Sequence, residues 1–314
     1  MLRKATMSCI LVWLALSALG FFLLQPATLI YAAGHTWIVT SALDSGNGTL
    51  RWCLMNASSG GTIAFDSSVF PSTSPVTIAL TSELPHIIQG NLTIDASSAG
   101  VILNGSQLPA DSVGLFIDSE NISITKLQIL HFPSWGIRLT TNAVACSISC
   151  NTIANNGGGI MVSQSQDNNI SGNNVRENDS TGIYLYKSSN NTIFGNNVTA
   201  NNQIPIHNVQ EAGHGIRLVN SIRNSIFGNR IRNNWYGIRL ANSANNDISG
   251  NYVANNDEGI QLYESSNNNS ISGNTFVNDG LTVYGSYENV VDDNWVNGKS
   301  LVYLEDVSDR IIED

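Results

Sequence analysis

The chain repeats the pattern of one segment, Ile226-Phe-Gly-Asn229-Arg-Ile231-Arg-Asn-Asn-Trp-Tyr-Gly237-Ile238-Arg-Leu240, and this repetition indicates the fold. Seven copies of an Ile or Val followed three residues later by Asn begin at residues 148, 170, 193, 226, 248, 271 and 291. Five of the six intervals are 20 to 23 residues, and the third is 33. Self-similarity at such a period indicates a solenoid built from stacked structural repeats.

Within each copy, apolar residues alternate with polar ones, as they do in strands with one buried face. One inward column consists of the repeat-starting Ile and Val residues. The others are formed by Ile153, Val175, Val198, Ile231, Val253, Phe276 and Val296, and by the Gly-Ile-x-Leu segments that begin at Gly136, Gly182, Gly215, Gly237 and Gly259. Three short strands in about 22 residues predict an all-β, single-stranded parallel β-helix, right-handed, with coils about 4.8 Å apart.

Asparagine fills the turns between these strands. Asn tolerates the left-handed backbone conformation, and its amide can bond to the Asn of the next coil. We therefore predict one structural ladder from Asn151 to Asn294 and a second through Asn178, Asn201, Asn233, Asn255 and Asn278.

Residues 1–33 have a different composition. Arg3 and Lys4 precede an apolar run that ends before Pro26, which is the pattern of a secretory signal peptide, with an uncleaved membrane anchor as the alternative. We therefore expect an exported protein, secreted or held at the cell surface, that contacts a membrane only if this segment stays uncleaved, and then only through it. We assign 36–70 to an N-terminal cap with a short helix, 71–140 to irregular coils, 141–305 to regular repeats and 306–314 to a C-terminal tail.

The chain is acidic, with a formal net charge of −10 and only 12% charged residues. Such a charge excludes general nucleic-acid binding, which needs Lys and Arg to displace counterions. Of the cysteines beyond the signal, we expect Cys150 to replace a turn glycine, and Cys53 and Cys146 to be small buried groups. No cysteine has metal-ligand spacing with histidine nearby, so we predict no metal site of that kind.

The longest interval places an insertion near 203–213, which contains His207 and Glu211. Insertions in solenoids often project on the binding face, although a neutral insertion is the alternative. The outward positions of the Gly-Ile-x-Leu strands carry aromatic, arginine and glutamine side chains, which pack on sugar rings and bind hydroxyl or carboxylate groups. The predicted polysaccharide platform comprises Tyr184, Tyr186, Arg217, Arg239, Gln261 and Tyr263.

The column before each of these glycines reads Thr181, His214, Tyr236, Glu258 and then Asp279. Stacked one coil apart, Glu258 and Asp279 could bring their carboxylates within about 5–6 Å, a separation that suits glycoside hydrolysis. We therefore name Glu258, Asp279, His214 and the neighbouring Asp257 as candidate catalytic residues, with solvated turn carboxylates as the alternative.

The Gly-Ile-x-Leu and Asn-x-Ile-x-Gly-Asn coils resemble the PbH1 repeats of NosD-type proteins and of the carbohydrate-binding and sugar-hydrolase group, with their pectin lyase-like fold. Asp44-Ser-Gly-Asn-Gly-Thr-Leu-Arg51 is similar to the cap motif of many secreted β-helix proteins. The resemblance implies the fold, and the group's members include lyases, hydrolases, epimerases and adhesins. From the arginines and tyrosines of the platform we expect a monomer that engages polysaccharide, including polymers that contain uronate. Hydrolase, lyase or epimerase activity is one alternative, and a non-catalytic adhesin-like spacer is the other.

More specific activities find less support in the sequence. Gly213-His214-Gly215 resembles the Gly-His-Gly of polygalacturonase-like helices, but that family's other motifs are missing. A lyase would imply Ca²⁺ held by acidic residues such as Asp257 and Glu258. Copper delivery, which the NosD likeness would imply, lacks a Met/His-rich ligand cluster here. We therefore predict no obligatory cofactor.

Overall fold

The computed structural model describes residues 34–201 and 213–308. The predicted signal segment, almost all of the predicted insertion, His207, Glu211 and the last six residues of the tail lie outside these ranges. Over the described ranges the chain forms one helix, α1 (Leu50–Asn56), and thirty strands. No helix there is both long and apolar enough to cross a bilayer.

The strands follow one another along the chain in short pieces of two to six residues. They are β1 (Thr36–Val39), β2 (Thr62–Phe65), β3 (Val76–Ala79), β4 (Thr93–Asp95), β5 (Val101–Asn104), β6 (Leu115–Ile117), β7 (Ser123–Thr125), β8 (Gln128–Leu130), β9 (Trp135–Leu139), β10 (Ser147–Ser149), β11 (Thr152–Ala154), β12 (Gly158–Ser163), β13 (Asn169–Ser171), β14 (Asn174–Arg176), β15 (Ile183–Tyr186), β16 (Thr192–Phe194), β17 (Asn197–Thr199), β18 (His214–Val219), β19 (Ser225–Phe227), β20 (Arg230–Arg232), β21 (Tyr236–Ala241), β22 (Asp247–Ser249), β23 (Tyr252–Ala254), β24 (Glu258–Tyr263), β25 (Ser270–Ser272), β26 (Thr275–Val277), β27 (Leu281–Tyr284), β28 (Val290–Asp292), β29 (Trp295–Val296) and β30 (Lys299–Ser300).

These strands make three long sheets, and successive coils add one strand to each. Sheet A runs β1-β2-β4-β7-β10-β13-β16-β19-β22-β25-β28, and sheet B runs β3-β5-β8-β11-β14-β17-β20-β23-β26-β29-β30. Sheet C runs β6-β9-β12-β15-β18-β21-β24-β27. Every pairing is parallel except that of β29 with β30, so the prediction of a parallel β-helix is confirmed.

The register keeps each inward column aligned. Ile226 pairs with Ile248, Ile231 with Val253, and Ile238 with Ile260. These side chains are completely buried. Because each buried aliphatic side chain contributes roughly 1.5–3 kcal/mol, the stacked columns are the main source of stability.

Helix α1 lies at the front of the solenoid, as predicted. Its N-cap is Thr49, whose side chain accepts a hydrogen bond from the Trp52 N–H at 3.2 Å. Leu50, Cys53 and Leu54 are buried on the inner side of the helix. The helix therefore covers apolar core that a bare solenoid end would expose.

The ladder that includes Asn151 and Asn294 is confirmed. In each step the asparagine Oδ1 accepts hydrogen bonds from both the backbone N–H and the Nδ2 of the Asn one coil earlier, as between Asn229 and Asn196 at 2.9 and 3.0 Å. These amides are buried, so the ladder satisfies backbone and side-chain groups that water cannot reach.

The predicted second ladder is partly wrong. Asn178 and Asn201 belong to it, but the buried members of the later coils are Asn234 and Asn256. Asn233, Asn255 and Asn278 take a left-handed conformation at the turn, with φ of 54 to 57°. Two further ladders, one of serine and one of asparagine, pass through Ser188 and Asn191 at the turn between sheets C and A.

The cysteine expectation is confirmed. Cys150 has φ of 56°, close to the 60 to 62° of the glycines at the same position in the next five coils. Cys53 and Cys146 are buried, and Cys150 is exposed; all three are free thiols.

Candidate functional site

The candidate site lies on the outer side of sheet C. In β15, β18, β21 and β24 the central outward side chains are Tyr184, Arg217, Arg239 and Gln261, and the pairing register aligns them in one column. A second outward column contains Tyr186, Tyr263 and Tyr284. We call the outward side chains of Tyr184, Tyr186, Arg217, Tyr236, Arg239, Glu258, Gln261, Tyr263 and Tyr284 the Tyr–Arg face.

The arginines of this face stack on its tyrosines. The guanidinium carbon of Arg239 lies 5.0 Å from the ring centres of both Tyr236 and Tyr263. That of Arg217 lies 5.2 Å from the Tyr184 ring centre. A cation this close to a ring face is attracted by the ring quadrupole, which fixes the orientation of the side chain. The structure thus brings together the predicted platform residues as one interlocked surface.

His214 lies buried beneath the centre of the face and contacts two of its members. Its ring stacks on Tyr236 with 5.1 Å between centroids and 15° between planes, and its Nε2 lies 3.4 Å from Nη1 of Arg239. His214 is fully buried, and Arg217 and Gln261 are nearly so, with 9% and 8% of their surfaces exposed. A ligand can therefore directly reach the half-buried members of the face and the exposed Tyr284. The half-buried members are Tyr184, Tyr186, Tyr236, Arg239, Glu258 and Tyr263.

Glu258 supplies a carboxylate to this surface. It lies at the start of β24, directly below Tyr236 in the register, and its Oε2 accepts a hydrogen bond from Gln261 Nε2 at 2.8 Å. The column of His214, Tyr236 and Glu258 predicted from the sequence is confirmed.

Asp279 does not continue this column on the outer face. Its Oδ1 accepts from the backbone N–H of Asn256 and its Oδ2 from Nδ2 of Asn256, both at 2.8 Å. Asp279 therefore occupies the position of a ladder asparagine, and burial raises the pKa of its carboxyl, against the lowering effect of the two Asn256 hydrogen bonds. The predicted placement of Asp279 beside Glu258 on the outer face is therefore wrong: Asp279 is hydrogen-bonded in the ladder, and Glu258 lies on the face.

A small polar cavity of about 230 Å³ lies beside the face, at the corner between sheets B and C. It is lined by Asn233, Asn234, Trp235, Asn255 and Asp257. The sequence predicts Asp257 only as a companion of Glu258 and does not predict the cavity. The signal was available, because Trp235 and Asp257 are separated by the same 22 residues as the paired Tyr236 and Glu258.

The described part of the chain contains no preformed metal site. Within residues 34–201 and 213–308 no three His, Cys, Asp or Glu side chains cluster as a metal site requires. The Ca²⁺ of a lyase therefore stays a prediction.

Three solved structures illustrate what the chain is similar to. A DFA-IIIase from Arthrobacter chlorophenolicus A6, in complex with GF2, shares 18% identity at a TM-score of 0.56, over 76% of this chain and 69% of that one. The periplasmic alginate epimerase AlgG shares 14% identity at 0.53, over 76% and 68%. The Dettilon tailspike protein shares 17% at 0.52, over 78% and 57%, so this chain spans little more than half of the tailspike's length. At these identities the likeness shows the fold.

No curated protein matches the sequence significantly. The family profile described as the right handed beta helix region, in contrast, matches residues 56–213, 99–276 and 202–296. The matches overlap and together span most of the chain, in agreement with the parallel coils and the period of 22 to 23 residues. The handedness predicted from the sequence is that of the profile, and the chain belongs to the right-handed β-helix family.

Proposed function

We propose that this protein binds polysaccharide along the Tyr–Arg face and that Glu258 supplies acid–base chemistry on the bound polymer. The observation that carries the proposal is the position of Arg239, held between the rings of Tyr236 and Tyr263. Aromatic rings pack against the apolar faces of sugars, and a fixed guanidinium donates to hydroxyl or carboxylate oxygens.

The shape of the face fits an extended ligand. Its outward columns run along the solenoid axis over β15 to β27, with a rise of about 4.8 Å for each coil. At least one tyrosine or arginine lies on each coil from β15 to β27, so a polymer laid along this axis would pass such a side chain at every coil. Similarity to an alginate epimerase and to a DFA-IIIase with a bound ligand supports a carbohydrate role on the same fold.

The catalytic part of the proposal rests on Glu258, the carboxylate of the face. Its bond from Gln261 fixes one oxygen and leaves the other for a substrate. Asp279 is not part of this chemistry because both of its oxygens are engaged by Asn256. His214 is buried against Tyr236 and Arg239, so its proposed role is to position Arg239.

Export is part of the same proposal. A signal-like segment at 1–33 would bring the face into contact with extracellular or surface polymers. We propose a monomer, whose Tyr–Arg face is open to such a polymer along its length.

A panel of neutral and uronate-containing polysaccharides, offered with and without Ca²⁺, tests binding by affinity electrophoresis and turnover by release of reducing ends or unsaturated products. We expect Tyr263→Ala to weaken binding of the retained polymer about tenfold, as loss of an aromatic contact implies. We expect Glu258→Gln to keep binding and to lose turnover.

The matched control for the tyrosine variant is Tyr252→Ala, because Tyr252 is half-buried on sheet B, away from the face. Binding of no polymer by the wild-type protein would overturn the proposal and favour the spacer alternative. Turnover that survives in Glu258→Gln would overturn the catalytic part alone.

A further inference from the structure

The corner cavity next to the Tyr–Arg face has an ordered lining. Since Tyr236 pairs with Glu258, the preceding residues Trp235 and Asp257 also lie one coil apart, about 4.8 Å along the solenoid axis. Asn233 lies above Asn255 in the same way, because Arg232 pairs with Ala254. The lining is thus a two-by-two array in which an indole stands over a carboxylate and one amide stands over another.

Each member of the array offers a group to a ligand. Trp235 exposes 40% of its surface, which is unusual for so large an apolar side chain. The side-chain amide of Asn233 has no hydrogen-bond partner among the described residues. The Asn255 side chain accepts one bond on Oδ1 from Asn278 Nδ2, so its own NH₂ group remains a donor. The Asp257 carboxylate is exposed and, when ionised, can only accept hydrogen bonds.

This combination matches the surface of a sugar ring. Indole packs on the apolar face of a pyranose, while amide donors and a carboxylate acceptor bind the hydroxyls at its edge. At about 230 Å³ the cavity is smaller than the roughly 300–1,000 Å³ of sites for drug-sized ligands, so it suits one ring.

Charge selects among sugars. The lining contains one carboxylate and no Lys or Arg. A uronate would place its own carboxylate against Asp257 without a compensating cation, which is unfavourable, whereas a neutral hydroxyl would donate to it. The corner cavity therefore differs from the Tyr–Arg face, where arginine can accept either kind of sugar.

We propose that the corner cavity binds one neutral hexopyranose residue, stacked on Trp235 and bonded to Asp257 and Asn233. Because the cavity adjoins Tyr236 and Glu258, this residue would be a branch or a neighbouring unit of the polymer on the face. In that biological role the inference rests on the proposed function, but binding of the isolated sugar does not.

Saturation-transfer NMR and calorimetric titration of the full chain test it with the methyl glycosides of mannose, glucose and galactose, and with methyl glucuronide as the charged counterpart. We expect at least one neutral glycoside to bind and the glucuronide to bind at least tenfold more weakly. Trp235→Ala and Asp257→Asn should each weaken neutral binding about tenfold, as loss of a ring contact or a charged hydrogen bond implies. Trp235→Phe should retain part of the affinity.

The matched controls are Trp295→Ala and Asp247→Asn, which change an exposed tryptophan on sheet B and an exposed aspartate on sheet A. Neutral binding unchanged in Trp235→Ala, or equal loss in the controls, would overturn the proposal. So would an absence of glycoside binding at millimolar concentration, or a preference for the glucuronide.

The two proposals fail separately. If polymer binding depends on Tyr263 but glycoside binding does not depend on Trp235, the proposed sugar site in the cavity is refuted and the proposed function of the face stands. Glycoside binding that depends on Trp235, with no polymer bound by any variant, would support the cavity and refute the proposed function.

Discussion

Asp279 bonds through both carboxylate oxygens to Asn256, where the preceding coils have an asparagine in the same place. A carboxylate can accept as an amide oxygen does, but it cannot donate, and burial penalises its charge. The ladder therefore ends at this coil on a carboxylate, which is less favourable there than an asparagine amide.

We predict that Asp279→Asn stabilises the protein at neutral pH. Burial raises the pKa of Asp279 above the 3.8 of the free group, so the folded state binds this proton more tightly than the unfolded state. The associated stability is present below pH 3.8 and is lost as pH rises through the raised pKa. The variant should therefore be more stable than the wild type at pH 7, and the difference should disappear at pH 3.5.

Denaturant unfolding at the two pH values, followed by circular dichroism, measures this difference. Asp247→Asn, on the exposed outer side of sheet A, provides the control for loss of one charge. An equal gain at both pH values would contradict the explanation. Polysaccharide turnover, if present, should be the same as in the wild type, since the carboxylate faces the ladder.

We predict that Asn229→Ala destabilises the solenoid by about 3 kcal/mol or more. Its Oδ1 accepts from Asn196 twice, and its Nδ2 donates to Ile193 O and to Asn251 Oδ1. All of these groups are buried, and each one left unsatisfied costs about 1–3 kcal/mol.

Asn242→Gly is the matched comparison for the ladder. Asn242 is exposed, and its φ of 49° suits glycine, so the change should stay within about 0.5 kcal/mol. Urea unfolding of both variants gives the two values. Similar losses would show that the turn backbone, and not the amide ladder, holds the coils together.

We predict that Cys150 reacts with iodoacetamide in the folded protein while Cys53 and Cys146 do not. Cys150 is exposed, whereas burial raises the pKa of each of the other two thiols to about 11. Since the thiolate is the reactive form, the buried thiols are protected by both inaccessibility and protonation. Peptide mass mapping after alkylation at pH 8 reads each site, and unfolding in urea should make all three reactive.

The turn at Cys150 supports a related prediction. Because a left-handed backbone costs roughly 1–2 kcal/mol in a residue with a Cβ, Cys150→Gly should raise stability by up to about 1 kcal/mol. Calorimetric melting measures the gain. Cys146→Gly, at a buried position, should lower the melting temperature instead.

We predict that Arg239→Lys weakens polysaccharide binding about tenfold while the protein stays folded. Lysine keeps the charge but cannot fill the space between the Tyr236 and Tyr263 rings with a planar fork. Arg232→Lys on sheet B, where Arg232 Nε bonds to Thr199 Oγ1, is the control. Equal binding by Arg239→Lys would show that charge alone recognises the polymer.

The fold was predictable because its rule is local and repeated. Ile226, Ile231 and Ile238 alternate with polar neighbours, and copies one period away agree, so the inward columns follow from the sequence alone. The Asn-Asn doublets were harder, since either residue could enter the ladder. The spacing along the chain shows which Asn is buried. The ladder residue lies three positions after the inward residue of the sheet B strand, as Asn234 does after Ile231 and Asp279 does after Phe276.

The site was only partly predictable. Composition picked out Arg239 and Tyr263 because outward positions on one strand type are easily aligned. The packing of Arg239 between two rings depends on side-chain rotamers, which a repeat does not specify. The corner array joins residues from separate coils around a bend, and alignment by single columns does not reveal it.

The hydrogen-bonded ladders also determine how the molecule can change in length. Each coil meets its neighbours through the same Ile and Asn positions, so excising or duplicating one whole coil would leave every column aligned. Loss of a single residue within a strand would instead turn its core side chains toward solvent. Evolution or engineering can therefore lengthen sheet C, and with it the surface that carries the Tyr–Arg face, in increments of about 4.8 Å, one coil at a time, without redesigning the core.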